Sequence, residues 1–161
     1  MCSSDLIGDM SHIYSIEGAN ACQQLADLAE KIAGESPSLS PKEFILTLGK
    51  QAAGIRHAFW GLFDLLKGGS NLIPGGGFKP EYDDGSGGQA RHFVGIAVSN
   101  LRFGPKLTTW LSETVRRDPA HSPDGRLTLA AVDFSQKLLK GELAITAAGQ
   151  WLRNQLCQPQ S

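Results

Sequence analysis

The stretch SPKEFILTLGKQAAGIRHAFWGLFDLLKGG, residues 40–69, decides the fold class. It opens with a helix start signal: the Ser40 side chain can accept a backbone hydrogen bond, Pro41 suits the first helical turn, and Glu43 can bond back to Ser40. A pair of glycines at the end of the stretch supplies a stop signal. Together these features predict a helix over residues 41–67.

Apolar residues recur along this helix at alternating spacings of three and four, which is typical of one buried helical face. They are Ile45, Leu48, Ala52, Ile55, Phe59, Leu62 and Leu66. Because such a stripe has to face a core, we expect the helix to be central. Gly49, Gly54 and Gly61 each cost about 1 kcal/mol relative to alanine inside a helix. They predict either a kink or the close approach of a neighbouring backbone.

Five further segments carry the same helical period and end at glycine or proline signals. These predicted helices cover residues 19–33, 89–103, 106–117, 123–140 and 143–156. For one of them a strand over residues 93–98 is the alternative, but its alternation is poor and its flanks suit a helix. We therefore predict an all-α, compact, single-domain bundle of about six helices. Its expected interior includes Ile55, Phe59, Leu62, Phe93, Ala97, Phe134 and Trp151.

Composition points to one soluble globular domain and excludes two classes of partner. The chain has 161 residues, of which 41% are hydrophobic and 19% charged, and none of its stretches approaches the apolar length of a membrane span. Residues 1–40 carry six acids and one base, whereas the rest carries ten acids and fourteen bases. The bases are dispersed rather than clustered, so neither a membrane nor a nucleic acid is expected as a partner.

The two ends of the chain leave two questions open. The opening residues MCSSDL include one translated frame of a common sequencing-adapter oligonucleotide, so we treat residues 1–10 as an artefactual or disordered leader and residues 11–161 as the helical domain. The cellular compartment is left open for the same reason. Cys22 and Cys157 fall near the start of the first predicted helix and the end of the last. Either a disulfide between them or two buried free thiols fits this spacing.

A long loop separates the second and third predicted helices. Residues 68–88 contain ten glycines and prolines, which excludes a helix or a long strand there. Loops longer than about 15 residues are uncommon in compact domains unless they are functional or disordered. Acids, a phenol, a guanidinium and an imidazole all fall within residues 81–92. The end of this loop and the start of the third helix are therefore the candidate functional region.

His92 is the candidate acid or base of a catalytic site in this region. Asp83 or Asp84 would orient its imidazole, while the helix start and Arg91 would stabilise developing negative charge. The alternative is structural: an aspartate neutralises the helix start, Arg91 is a surface charge, and His92 donates a hydrogen bond to a loop carbonyl. Since proximity in sequence does not fix geometry, the sequence favours this structural alternative.

Gly87, Gly88 and Arg91 form a candidate anion-binding site at the same place. Free backbone N–H groups and the positive end of the helix dipole favour an anion at a helix start, and a guanidinium would reinforce them. Such features are common, so they indicate a place for an anion rather than a particular ligand.

No metal or cofactor is expected. The glycines near residue 85 do not follow a hydrophobic strand, as a dinucleotide fingerprint requires, and no Gly-Lys-Ser or Gly-Lys-Thr follows them. The pair Asp83 and Asp84 lacks the alternating ligands of a calcium loop. The sequence also contains no His-Glu-x-x-His and no Cys-x-x-Cys motif for zinc.

Two functions from different classes remain. The first is a non-catalytic helical module that binds a protein partner, which the small number of titratable clusters favours. The second is a small hydrolase or effector-type enzyme that uses acid–base chemistry at His92 with Asp83 or Asp84. Neither the substrate nor the oligomeric state follows from the sequence.

Overall fold

The computed structural model describes residues 20–56, 69–106 and 121–160. Five α-helices lie wholly within these ranges, and no strand does. They are α1 (Ala21–Glu35), α2 (Pro41–Ala53), α3 (Gln89–Phe103), α4 (Pro123–Leu139) and α5 (Ala148–Leu156), joined by 3-10 turns at Pro80–Tyr82 and Ile145–Ala147. The predicted all-α class is confirmed. The predicted helix over 106–117 lies outside the described residues beyond Lys106.

Polar side chains start three of the helices, as the sequence signals suggest. At α2 the backbone N–H of Glu43 donates to Ser40 Oγ at 3.3 Å, and the backbone N–H of Ser40 donates to Glu43 Oε2 at 2.9 Å. The pKa of Glu43 is lowered because it accepts hydrogen bonds from the backbone and side chain of Ser40. Asn20 caps α1 and Ser122 caps α4 in the simpler one-bond way. Local hydrogen bonding therefore fixes where these helices begin.

The predicted extent of the second helix is wrong, because α2 ends at Ala53 rather than near residue 67. Gly54 adopts the left-handed conformation with φ 64°, and its N–H bonds to the carbonyls of Gly49 and Lys50. The next residue, Ile55, still turns its side chain into the core and is 2% exposed. Apolar periodicity can continue across such a break, so the stripe alone could not reveal it.

Three pairs of helices make the most extensive contacts: α3 with α4, α1 with α5, and α2 with α3. In α1 and α5 the residue numbers run in opposite directions, since Cys22 meets Cys157 while Glu30 meets Arg153 nearer the start of α5. In contrast, α3 and α4 run parallel, because contacts between them keep a nearly constant separation in sequence. α2 lies against α3 where a Cβ on Gly49 would stand 2.6 Å from Val98 Cγ2. The group that approaches Gly49 closely is therefore a side chain of α3, rather than the neighbouring backbone that was predicted.

Aromatic rings from three helices meet in the core. Phe134 lies with its ring centre 5.3 Å from that of Phe93 and 5.2 Å from that of Trp151. The predicted burial is confirmed for Ile55, Phe93, Ala97 and Phe134. Trp151 packs against this core but is only half-buried, so its predicted burial was too strong. Phe59 and Leu62 lie outside the described residues.

A disulfide joins Cys22 to Cys157, which resolves the pairing that the sequence left open. The S–S distance is 2.05 Å, the Cα atoms are 5.4 Å apart, and the two cysteines are separated by 135 positions. Both side chains are buried. In the chain-entropy description, closing so long a loop stabilises the folded state by about 5 kcal/mol.

Within the described ranges, none of the helices is both long enough and apolar enough to cross a membrane.

Candidate functional site

The first half of the glycine-rich loop is held beside the disulfide. The Gly76 carbonyl accepts a hydrogen bond from the Cys22 N–H at 3.2 Å, and the Gly77 carbonyl accepts one from the Gln158 N–H at 2.8 Å. A third bond runs from the Lys79 N–H to the Leu156 carbonyl at 2.8 Å. We call this arrangement the clasp: the backbone of residues 76–79 crosses between residues 20–22 and residues 156–158.

Side-chain packing explains why the clasp needs both a glycine and an aromatic residue. Gly77 has φ 89°, and a Cβ there would overlap the side chain of Asn20. Phe78, next in sequence, is fully buried and anchors the loop in the core. The Gly/Pro-rich composition therefore permits close backbone crossing here, in a loop that is structured throughout its described part, residues 69–88.

The middle of the loop forms the 3-10 turn Pro80–Tyr82, which lies against α4. Tyr82 is partly buried, and this burial raises the pKa of its phenol. The neighbouring Glu81 raises that pKa further, while the Arg126 guanidinium on α4 opposes the rise. Contact with α4 thus brings the following residues, Asp83 and Asp84, to the start of that helix.

The two candidate aspartates converge on one amide. Gln89 Nε2 donates to Asp83 Oδ1 at 2.8 Å and to Asp84 Oδ1 at 2.6 Å. Each aspartate also closes a turn, since Asp83 Oδ1 accepts from the Gly85 N–H at 2.8 Å and Asp84 Oδ1 accepts from the Ser86 N–H at 2.9 Å. Such turns fix a carboxylate relative to its own backbone. The arrangement rigidifies the loop where it enters α3.

Asp84 has a perturbed pKa with opposing causes. Burial raises its pKa, but hydrogen bonds from the side chain and backbone of Ser86 lower it, and a side-chain hydrogen bond with Asp124 lowers it as well. The net pKa is lowered. A carboxylate that accepts several hydrogen bonds keeps its charge to lower pH.

His92 lies in the α3–α4 interface. Its Nε2 is 2.7 Å from Thr128 Oγ1 on α4, and which of the two atoms donates depends on the tautomer of the imidazole. His92 is 8% exposed and Thr128 is 2% exposed. The structure therefore pairs the imidazole with a hydroxyl group 36 residues away, while the carboxylates of Asp83 and Asp84 bond to Gln89.

The pair formed by His92 and Thr128 is the first of a row of polar pairs along the two parallel helices. Further along the same two helices, Asn100 Nδ2 donates to Ser135 Oγ at 2.5 Å, and Gln136 Nε2 donates to Asn100 Oδ1 at 3.3 Å. Asn100 and Ser135 are buried. Buried polar pairs of this kind fix how two helices align, because shifting the alignment would leave their polar atoms unsatisfied.

The residues of the candidate anion site lie together at the start of α3. Gly88 precedes α3 without any side-chain cap, and the Arg91 guanidinium lies beside it, with Nη2 3.3 Å from where a Gly88 Cβ would be. The Gly87 carbonyl is occupied by bonds from the Gly75 N–H and the Asn71 side chain. Asp83 and Asp84 bring negative charge to the same helix start, which opposes anion binding there.

Sequence reasoning missed Gln89 and Thr128. Gln89 is 1% exposed, and its Oε1 atom is buried without a hydrogen-bond partner among the described residues. Thr128 follows Leu127 on the buried side of α4, and a hydroxyl group at such a position is the signal that could have marked it. No signal in the local sequence around Gln89 predicts that its amide bonds to two aspartates.

A groove of about 430 Å³ lies beside the clasp. Lys79, Arg153 and Cys157 are among its lining residues. Arg153 is held by carboxylates of Asp27 and Glu30 on α1, and these hydrogen bonds raise its pKa further above its usual value. The described ranges contain no cluster of three or more histidine, cysteine, aspartate or glutamate side chains arranged to hold a metal ion.

Comparisons with known proteins add no assignment: no family model matches the chain, and it has no significant match among curated proteins or solved structures.

Proposed function

We propose that the chain is a non-catalytic domain that binds another protein through the outer surface of the loop at residues 69–88. The observation that carries this proposal is the internal use of the polar groups: Asp83 and Asp84 bond to Gln89 and to their own turns, and His92 bonds to Thr128. The bonds to Gln89 hold the loop at the start of α3, and the bond between His92 and Thr128 joins α3 to α4. Polar side chains that bond within the protein in this way are suited to holding the outer surface of the loop in place.

The outer side of the loop has features that suit a protein partner. Leu72 is 54% exposed, Pro74 and Glu81 are exposed nearby in sequence, and the backbone that carries them is tied down at several points. A surface that is already rigid loses little conformational entropy on binding. Loops held in this manner by a helical scaffold commonly carry recognition residues.

The test places a photo-crosslinking amino acid at position 72 and, as a matched control, at position 139 of α4, where the leucine is 39% exposed. Both variants are exposed to extract from the source cells and irradiated. We expect discrete adducts from position 72 that excess unlabelled protein suppresses, and none from position 139. The same adducts from both positions, or none from position 72, would contradict the proposal.

One observation favours the second candidate function, a hydrolase. The His92 Nε2–Thr128 Oγ1 distance of 2.7 Å is that of a base and a hydroxyl nucleophile, and acidic side chains lie near the start of the same helix. In that mechanism His92 removes the hydroxyl proton and Thr128 attacks the substrate. The burial of both side chains opposes it, because substrate has to reach the hydroxyl group.

The two candidates are separated by comparing His92→Ala and Asp84→Asn with Asn100→Ala, which removes a non-titratable member of the same polar row. Folding is checked by thermal melts, and hydrolysis is assayed on ester, phosphoester and peptide substrates. If the protein is a binding domain, the unmodified protein should hydrolyse none of these substrates, and His92→Ala and Asn100→Ala should lose similar amounts of stability. Activity that disappears in His92→Ala but survives in folded Asn100→Ala would establish the hydrolase.

A further inference from the structure

The disulfide and the clasp occupy the same place in the fold. Cys22 is both a disulfide partner and the donor of the hydrogen bond to the Gly76 carbonyl. Cys157 forms an isolated antiparallel bridge with Phe78, and the following residue, Gln158, bonds to the Gly77 carbonyl. The covalent bond therefore pulls together the two chain segments between which the loop backbone runs.

A separate set of contacts holds α1 and α5 together. Arg153 on α5 donates to Gln23 Oε1 at 3.1 Å and pairs with the carboxylates of Asp27 and Glu30 on α1. Further along the same interface, Gly149 packs closely on Ala26. These contacts do not involve the disulfide, whereas the hydrogen bonds of the clasp lie directly beside it.

The two sulfur atoms also differ in their surroundings. Cys157 and Lys79 are among the residues that line the groove beside the clasp, and Cys157 is 3% exposed whereas Cys22 is fully buried. Cys22 lies in the first turn of α1, where the positive end of the helix dipole stabilises a thiolate. Attack on the Cys157 sulfur with departure of the Cys22 thiolate is therefore the favoured direction of exchange.

We propose that the Cys22–Cys157 disulfide is a redox latch for the glycine-rich loop. A dithiol reductant attacks the Cys157 sulfur, and the S–S bond breaks as the Cys22 thiolate leaves. The second thiol of the reductant then displaces Cys157, so that the reductant gives up two electrons and two protons. The products are two cysteine thiols and the oxidised reductant. The backbone hydrogen bonds of the clasp then open while the helices stay packed.

The consequence for binding rests on the proposed function, in which the loop around Leu72 contacts a protein partner. When the clasp opens, that part of the loop is no longer held in one conformation. In a reducing compartment the loop is free, and in an oxidising compartment it is set for binding. The latch itself is tested without any partner, so its failure and the failure of the binding proposal give different results.

The first experiment measures amide hydrogen exchange by nuclear magnetic resonance on the full chain in a Cys2→Ser background, oxidised and after treatment with dithiothreitol. We expect the clasp amides of Cys22, Lys79 and Gln158 to exchange at least about tenfold faster on reduction, relative to the change at core amides of α3 and α4. Unchanged clasp amides, or an equal increase throughout the chain, would overturn the latch. The control is the double variant Cys22→Ser/Cys157→Ser. Its clasp amides should exchange at the rates seen in the reduced protein, and dithiothreitol should not change those rates.

The second experiment tests the direction of exchange. The oxidised protein is treated with limiting glutathione, released thiols are capped with iodoacetamide, and the peptides are identified by mass spectrometry. We expect glutathione on Cys157 and the alkyl group on Cys22. The opposite distribution, or an equal mixture, would overturn the assignment of Cys157 as the attacked sulfur.

Discussion

Truncating Phe134 is the sharpest test of the described core. Its side chain is fully buried and contacts Phe93 on α3 and Trp151 on α5, so Phe134→Ala removes the ring that joins three helices. A buried Phe→Ala change costs about 3 to 5 kcal/mol in free energy of unfolding. Each of the two ring pairs contributes about 0.5 to 1.5 kcal/mol beyond its buried area. We therefore expect a value in the upper half of that range.

The assay is urea unfolding followed by circular dichroism, with a thermal melt in parallel. For a chain of this length each kcal/mol shifts the melting temperature by about 3 °C, so Phe134→Ala should lower it by about 12 °C or more. Phe134→Leu keeps most of the apolar volume but loses both ring pairs, and should cost about 1 to 3 kcal/mol. Leu129→Ala is the matched control on the same helix, because Leu129 is 49% exposed. A Phe134→Ala cost no greater than that of Leu129→Ala would refute the described packing.

Three further predictions concern a cap, a close contact and a titrating group. Ser40→Ala should lower the free energy of unfolding by about 1 kcal/mol in the same urea assay, because it removes the cap of α2, and an unchanged midpoint would contradict the capping box. Gly149→Ala should cost about 1 to 3 kcal/mol because its Cβ would lie 2.7 Å from the Ala26 carbonyl oxygen. Gly34→Ala, whose Cβ would meet no atom within 4 Å, should be neutral or stabilising in parallel melts, and equal losses would count against the α1–α5 packing. Asp84 has a lowered pKa in the folded state, so the stability it contributes is present above its unfolded pKa of about 4 and is lost as the pH falls through the folded value. Urea unfolding across the acid range should therefore show a shallower loss for Asp84→Asn than for the parent, and superimposable acid limbs would contradict this.

Helix starts were predictable because their causes are local. The hydrogen bonds between Ser40 and Glu43 and between Ser122 and Gly125 span only three residues, so the sequence displays both partners. The bounds of α3 agree with the predicted 89–103, since glycines flank it on both sides. The end of α2 was not predictable, because Gly54 stops the helix without interrupting the order of apolar residues.

In the candidate site, sequence reasoning could single out residues that lie near one another in the chain, but it could not predict contacts between distant residues. The sequence drew attention to the junction of the loop and α3, and in the structure Asp83 and Asp84 bond to Gln89 at the start of that helix. It could not supply Thr128, because the pairing of His92 with Thr128 depends on the parallel packing of α3 and α4. The disulfide depended in the same way on the antiparallel packing of α1 and α5. Partners distant in sequence are determined by the assembled fold.

Because positions 22 and 157 are adjacent, the part of the chain between them is suited to insertion into another protein. Their Cα atoms are 5.4 Å apart, so the polypeptide between them enters and leaves the fold at nearly one point. A host protein can accept such a unit within a surface loop with little displacement of its own backbone. The same adjacency suits circular permutation, in which a short peptide replaces the cross-link and new ends are opened in an exposed turn such as the one at Gly141.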